Sequence, residues 1–265
     1  MTFEPSTLDQ IRWSDHNFVA FAGLDMHALT MFRDEVVAPS LDALEHKISA
    51  LEQSENSAER IFGADSYAAL HHRTVEGFLL TTQSMHERGI RSLLLAIAKH
   101  RAWDARAQRG IQRSDWSEDK AASIPGHFKK LLDAPIQLFG DYQDLKVLRV
   151  LANALRHGDG SSAEELHTLC PSLWSHWLAP GTVLSIAGIE ISVPAGAPSH
   201  PIFAAITLPR SLLEQMLFSV VAFWEDIEFV RCNSFSQRDA STESHIAALR
   251  NKRTHRHSAR VWSPG

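Results

Sequence analysis

The sequence predicts a mainly α protein: an antiparallel helical bundle with a small antiparallel β-sheet, at about 182–208, inserted before the last long helix. Two observations carry that prediction. Apolar residues recur at i, i+3, i+4 and i+7 through most of the chain. Only residues 182–193, TVLSIAGIEISV, alternate and concentrate β-branched side chains. The size fits as well, since 265 residues can bury a substantial core, and 44% hydrophobic with 22% charged residues is an ordinary globular balance.

Taken in order, residues 1–14 lack pattern and read as irregular. A helix is expected from Asp15, with Phe18, Phe21, Ala22, Met26, Leu29 and Phe32 on its apolar side. Pro39 should break or kink it, because proline lacks an N–H and clashes with the preceding turn. Ser40 can cap a second segment whose Leu41, Leu44, Ile48 and Leu51 form a narrow seam. Residues 53–64 read as a polar connection. Tyr67 to about Arg106 reads as one long helix, with Gly77 and Gly89 placed where close helix packing would justify them. Residues 107–126 read as a loop with room for a short helix, followed by a helical stretch at His127–Asp133.

A helix from near Pro135 then runs through LKVLRVLANALRHGDG, residues 145–160. Leu145, Leu148, Ala152 and Leu155 form its core stripe, and Gly158 suits the left-handed turn that ends a helix. Ser161 and Ser162 ahead of Glu164 and Glu165 give a capping signature for a helix to about Trp177. A hairpin turning at Ala187-Gly188 comes next, then a third strand over 202–208. Pro209 is suited to the first position of the last long helix, with Leu212, Leu213, Met216, Leu217, Val220, Trp224 and Ile227 facing inward. From Ser234 the composition turns polar and basic and predicts a mobile tail with a helical turn near Ile246–Leu249. The chain thus divides into N-terminal helices (1–64), a bundle with its β insertion (65–233) and the tail (234–265).

Net charge is −5 and the pI is near 6.3, so nucleic-acid binding would need a local basic patch. Cys170 and Cys232 fit no metal spacing, no signal peptide is evident, and no apolar run approaches the roughly 20 residues of a membrane span. These features lead us to expect a cytoplasmic protein with no membrane partner. There is no dinucleotide fingerprint, P-loop or serine elbow, and Glu164 with His167 lacks the second pair a di-iron bundle needs. No cofactor or metal is expected. Trp174, Trp177 and Trp224 fall at core positions.

The chemistry concentrates at 145–160. Arg149, Asn153 and His157 step along by four, with Lys146 and Arg156 close to that line. A second basic run, Lys99, Arg101, Arg106, Arg109 and Arg113 interleaved with Trp103, is suited either to a phosphate backbone and a stacked base or to a solvated helix end. Arg253, His255, Arg256 and His257 of the tail offer a weak, salt-sensitive grip on RNA or simple solubility.

NALRH, Asn153 to His157, in a late helix of an antiparallel bundle resembles the second half of the Arg-polar-x-x-x-His motif of the HEPN superfamily of RNA-cleaving toxins and defence proteins. Ala152 stands where that motif has arginine, and Arg149 or Arg156 would stand in for it. Glu87 to Arg91 resembles the family's Glu-x-x-x-Lys pattern on an earlier helix. The resemblance covers about residues 67–178. It implies a metal-independent endoribonuclease, a toxin or antiphage effector, whose site forms between two copies in a homodimer, with RNA as substrate and a regulatory or antitoxin protein as a further partner. His157 would be the acid–base group, Arg149 or Arg156 the cationic donor, Asn153 the orienting amide, and Glu87 with Arg91 the brace. Two other readings stand beside it. A histidine just before a terminal glycine also complements the helix dipole, and Glu87–Arg91 also suits a plain i,i+4 ion pair. A non-catalytic module would dimerise or bind a partner through the 182–208 sheet edge instead.

Overall fold

The computed structural model describes residues 5–14, 16–19, 22–186 and 189–264. It is mainly α, with one two-stranded antiparallel sheet ahead of the long late helix. Asp15 and Phe21, at the start of the first expected helix, and the Ala187-Gly188 turn lie outside the described residues.

The first helices are more continuous than the proline suggests. Residues Pro5–Gln10 and His16–Val19 are 3-10 turns, so the opening is more regular than its sequence reads. Helix α1 (Ala22–Met31) runs through a π-helical turn, Phe32–Val37, into α2 (Ala38–Glu52). The wide turn ends in an i→i−5 bond from Ala38 N–H to the Arg33 carbonyl, and Pro39 follows in the first turn of α2, where its missing N–H costs little. Ser40 therefore does not cap; its hydroxyl donates back to the Val36 carbonyl at 2.6 Å. The break after α2 is short. Residues 57 and 58 are already helical, and Glu59–Gly63 forms a second π-helical turn that leads into α3 (Ala64–His100).

Helix α3 ends earlier than expected, and Asp104 caps α4 (Ala105–Arg113) by accepting from the Ala107 N–H. Ser123 caps α5 (Ile124–Leu132), again inside the stretch expected to be loop. A 3-10 turn (Ile136–Leu138) and a left-handed Gly140 delay the next helix, so α6 spans Tyr142–His157 and does not begin near Pro135. Gly140 packs against the Phe223 backbone, where a Cβ would come within 3.1 Å. Helix α7 (Ser161–Leu169) starts from Gly160 with no side-chain cap and stops short of Trp177, because Pro171 opens a separate 3-10 turn.

Strands β1 (Val183–Ile186) and β2 (Ile189–Ser192) pair as expected, with Leu184 opposite Ile191. The expected third strand is not one. Residues Phe203–Ala205 form a 3-10 turn whose Phe203 N–H donates to Asp159, and the Thr207 N–H goes to the Leu173 carbonyl. Those backbone donors are spent on loop contacts, so no ladder forms.

Helix α8 (Arg210–Asn233) follows, with Pro209 as its N-cap residue. It packs against α1, α3, α6 and α9 (Ala240–Thr254) and is buried around most of its circumference. Gly89 of α3 permits one close approach, since a Cβ there would meet the Trp224 ring at 2.5 Å; nothing lies near Gly77. The basic tail is not mobile through 240–254. Asp239 caps α9, Ile246 and Leu249 are buried, Arg253 and Arg256 pair with Asp226 of α8, and Arg250 pairs with Asp9.

Candidate functional site

Helix α6 explains where the chemistry lies. Leu145, Val147, Leu148, Val150, Leu151, Ala152 and Ala154 are all buried, so only a narrow strip of the helix reaches solvent. Lys146, Arg149, Asn153 and Arg156 occupy that strip. Its first turn is fixed by Asp144, 2% exposed, which accepts from Gln215, Ser219 and Arg260. Burial still raises the Asp144 carboxyl above its usual range, against the pull of Arg260. At the far end Gly158 takes the expected positive φ, 74°, and donates to the Ala154 carbonyl.

Between α3, α6 and the loop joining α4 to α5 lies a cleft of about 450 Å³. From α3 it is lined by Gln83, Glu87 and Arg91, one turn apart. The loop contributes Asp115, Trp116 and Ser117, and α6 contributes Arg149, Asn153 and Arg156. Five of the six residues singled out for catalysis therefore share one cleft. The sixth, His157, is exposed and does not line it. The helix turn is the reason. Seven residues bring Arg156 back to within about 20° of Arg149, whereas eight carry His157 about 80° away.

Two of the five have structural duties. Glu87 pairs with Arg91 at 2.6 Å, both half-buried. Arg91 also donates to the carbonyls of Ile111, Gln112 and Ser114 at 2.8–3.1 Å, so all five guanidinium N–H groups are engaged. It satisfies the open carbonyls at the C-terminal end of α4 and leaves nothing for a ligand. The expected i,i+4 ion pair is present, and Arg91 adds to it three bonds that tie α3 to the end of α4.

Arg149 is the opposite case: among the described residues it has no hydrogen bond or ion pair, only an electrostatic contact with Tyr142. Arg156 makes one long contact, donating at 3.4 Å to the side-chain Oδ1 of Asn153. The two lining carboxylates are already paired, Glu87 with Arg91 and Asp115 with Lys120 at 3.1 Å, so the cleft is locally cationic in a chain of net charge −5. Lys146 stands 3.8 Å from Glu165.

Beside the cleft, sharing Gln83, Trp116 and Arg149 with it, is a recess of about 10 Å³ that also takes in His86 and Tyr142. His86 is buried and its ring stacks on Trp116, with centroids 6.1 Å apart and planes at 22°. Burial pushes its imidazole down to about 3, so it stays neutral. Gln83 Oε1, His86 Nδ1 and Trp116 Nε1 are buried with no hydrogen-bond partner. Tyr142 donates to Glu118 at 2.9 Å and ties the loop to α6; burial, and then Glu118, hold its phenol protonated. None of Gln83, His86 or Trp116 was singled out from sequence. The signal for two of them exists: Leu79, Gln83, His86, Ile90 and Leu93 follow a core spacing, so an amide and an imidazole stand where apolar residues belong.

The other expected sites lie elsewhere or are occupied. Lys99, Arg101, Arg106 and Arg109 are exposed around the end of α3 and on α4 and do not line the cleft; Lys99 lies about 18 Å along α3 from Glu87. Trp103 packs under Lys130, whose ammonium sits 4.5 Å from the ring centroid. Arg253 and Arg256 of the tail face Asp226 and are not displayed to a ligand. His167 packs edge-on against Trp174 and Trp177. His71 and His72 diverge, toward Glu45 and Glu76. Glu228, Cys232 and His245 bring ligand-type atoms within 4.8 Å, the one such group among the described residues. Arg231 already neutralises it, pairing with Glu228 at 2.6 Å, and burial pushes the Cys232 thiol up to about 12. No helix among the described residues is long and apolar enough to cross a membrane. No family model matches the chain, and no curated protein or solved structure matches it either.

Proposed function

We propose that the α3–α6 cleft binds the phosphate backbone of RNA and that the protein is a metal-independent endoribonuclease of HEPN type, a cytoplasmic toxin or antiphage effector acting as a homodimer. The observation that carries this reading is Arg149: a partly buried guanidinium with no carboxylate partner among the described residues, beside Asn153 and Arg156 in a cleft whose acids are already paired. A charge-assisted donor in such a place favours an anion with planar oxygens.

In the reaction, a 2′-oxygen attacks the adjacent phosphorus, forming the 2′-O–P bond as the P–O5′ bond breaks. The 2′-hydroxyl proton passes to a base, and the departing 5′-oxygen receives a proton, leaving a 2′,3′-cyclic phosphate and a 5′-hydroxyl. Arg149 and Arg156 stabilise the charge on the phosphoryl oxygens. His157 supplies the acid–base imidazole. Its position on the rim, outside the cleft lining of its own chain, suits delivery into the cleft of a second copy. The test is incubation of purified protein with RNA and analysis of the ends. Cyclic-phosphate ends are expected with wild type and not with His157→Ala; equal cutting by both overturns His157 as the acid–base group.

A second reading has its own observation. Val183, Ile189 and Ile191 of the hairpin are exposed, with an unpaired strand edge beside them. This favours a partner-binding module, an antitoxin or regulatory protein being the expected partner, whether or not the cleft cuts.

A further inference from the structure

The cleft holds more than cations. Three buried polar atoms around Trp116 lack partners among the described residues: Gln83 Oε1, His86 Nδ1 and the indole nitrogen itself. A buried polar group without a hydrogen bond is costly, so a set of them in one place calls for an explanation. Elsewhere in the fold a buried amide is satisfied: Gln215 donates to Asp144 at 2.8 Å and accepts from the Val261 N–H at 3.1 Å. Gln83, equally buried at 2% exposure, has its oxygen idle at the border of the cleft.

Trp116 has two environments. One part of it stacks on the His86 ring, which Phe223 holds from the side at 4.8 Å, and another part lines the open cleft. The indole is therefore backed from beneath and held flat, while the loop that carries it is pinned by Arg91 to the Ser114 carbonyl and by Tyr142 to Glu118. The recess under it is too small for any ring, so a planar ligand must lie in the cleft itself, over the indole.

Resting on the reading of the cleft as an RNA site, we infer that Trp116 is the stacking platform for one unpaired nucleobase, with Gln83 contacting that base's edge while Arg149 holds the adjoining phosphate. Every base has a π-face for the indole, and each offers an N–H donor for the Gln83 oxygen, so the pocket selects unpaired strands over sequence. Bases inside a duplex are stacked on each other and cannot reach the platform. The substrate class is thus single-stranded RNA or a loop.

The test uses the full chain and a short single-stranded 2′-O-methyl oligonucleotide, which cannot be cut, so that binding is read apart from cleavage. An abasic oligomer of the same length is the comparison. Wild type is expected to prefer the base-bearing strand by about tenfold, Trp116→Ala to lose that preference, and Trp116→Phe to keep most of it. Gln83→Leu separates a binding role from a packing role. It removes an idle buried oxygen, so the protein should melt higher while binding the base-bearing strand more weakly; a packing residue would lose both. Equal binding of the two strands by wild type, or an unchanged preference in Trp116→Ala, overturns the platform while leaving an Arg149-dependent backbone site standing. Absence of Arg149-dependent binding to either strand overturns the RNA reading and the platform with it.

Discussion

The two most polar regions of this protein are built on opposite rules. Along α8, carboxylates meet cations: buried Asp226 takes Arg256 at 2.6 Å, Glu225 takes Lys252 at 2.7 Å and Glu228 takes Arg231, while beside Gln215 and Ser219 buried Asp144 and half-buried Asp141 share Arg260. In the α3–α6 cleft, Arg149 has no carboxylate among the described residues, and Gln83, His86 and Trp116 have idle polar atoms there. Burial penalises both arrangements; in the first the carboxylates are met by cations inside the chain, although Arg256 Nε is itself left without a partner among the described residues, while in the second the guanidinium of Arg149 is met by none. The first region holds the fold, and it anchors α6 through Asp144. The second is left open to something from outside.

That contrast can be broken at the clamp first, where the largest effect is expected. Asp226→Ala leaves Arg256 buried without its main partner and removes the acceptor of the Gly140 N–H, so urea unfolding should show a loss of about 3–5 kcal/mol. A loss below about 1 kcal/mol would mean the clamp is a surface ornament. Next is Arg91→Met, which frees three carbonyls at the end of α4. We expect about 2–3 kcal/mol and faster amide exchange over 105–113. Retained stability with lost RNA binding would instead put Arg91 in the ligand site.

His86 gives the contrast a pH axis. Its folded value near 3 lies below the ordinary value of 6.5, so the unfolded chain takes up a proton that the native state refuses. The stability it contributes is complete above pH 6.5 and is lost as pH falls toward 3, by about 1.4 kcal/mol per unit at most. His86→Phe should flatten that acid limb in melts between these limits; an unchanged limb would place the loss at another group. The smallest effect belongs to His157→Ala. Exposed at the helix end, it should cost no more than about 1 kcal/mol in stability, so any loss of cutting would be chemical.

What could be read from the sequence follows the same division. The apolar stripes of α3, α6 and α8 and the alternation of the hairpin gave those elements directly, because local period and burial agree. Helix α9 was not readable, since Ile246 and Leu249 are its only buried residues and its arginines gain their meaning from acids on α8. The π-helical turn before Pro39 hid a continuous helix that proline rules alone would break. In the cleft, Arg149, Asn153 and Arg156 came from spacing on one helix. Steps of four drift about 40° each, which is why His157 aligned on paper and not in space. Gln83 and His86 were visible as polar residues at core positions, but Trp116 owes its place to a loop fixed by tertiary contacts, those of Arg91 and Tyr142 among them, that no local pattern announces.

The most direct measurement is equilibrium binding of single-stranded RNA to wild type, Arg149→Ala and Lys99→Ala, each checked by its melting temperature. The account predicts that Arg149→Ala weakens binding by about tenfold or more with its melting little changed, and that Lys99→Ala, further along α3 than the cleft reaches, binds nearly as wild type. Binding by Arg149→Ala equal to wild type would contradict it.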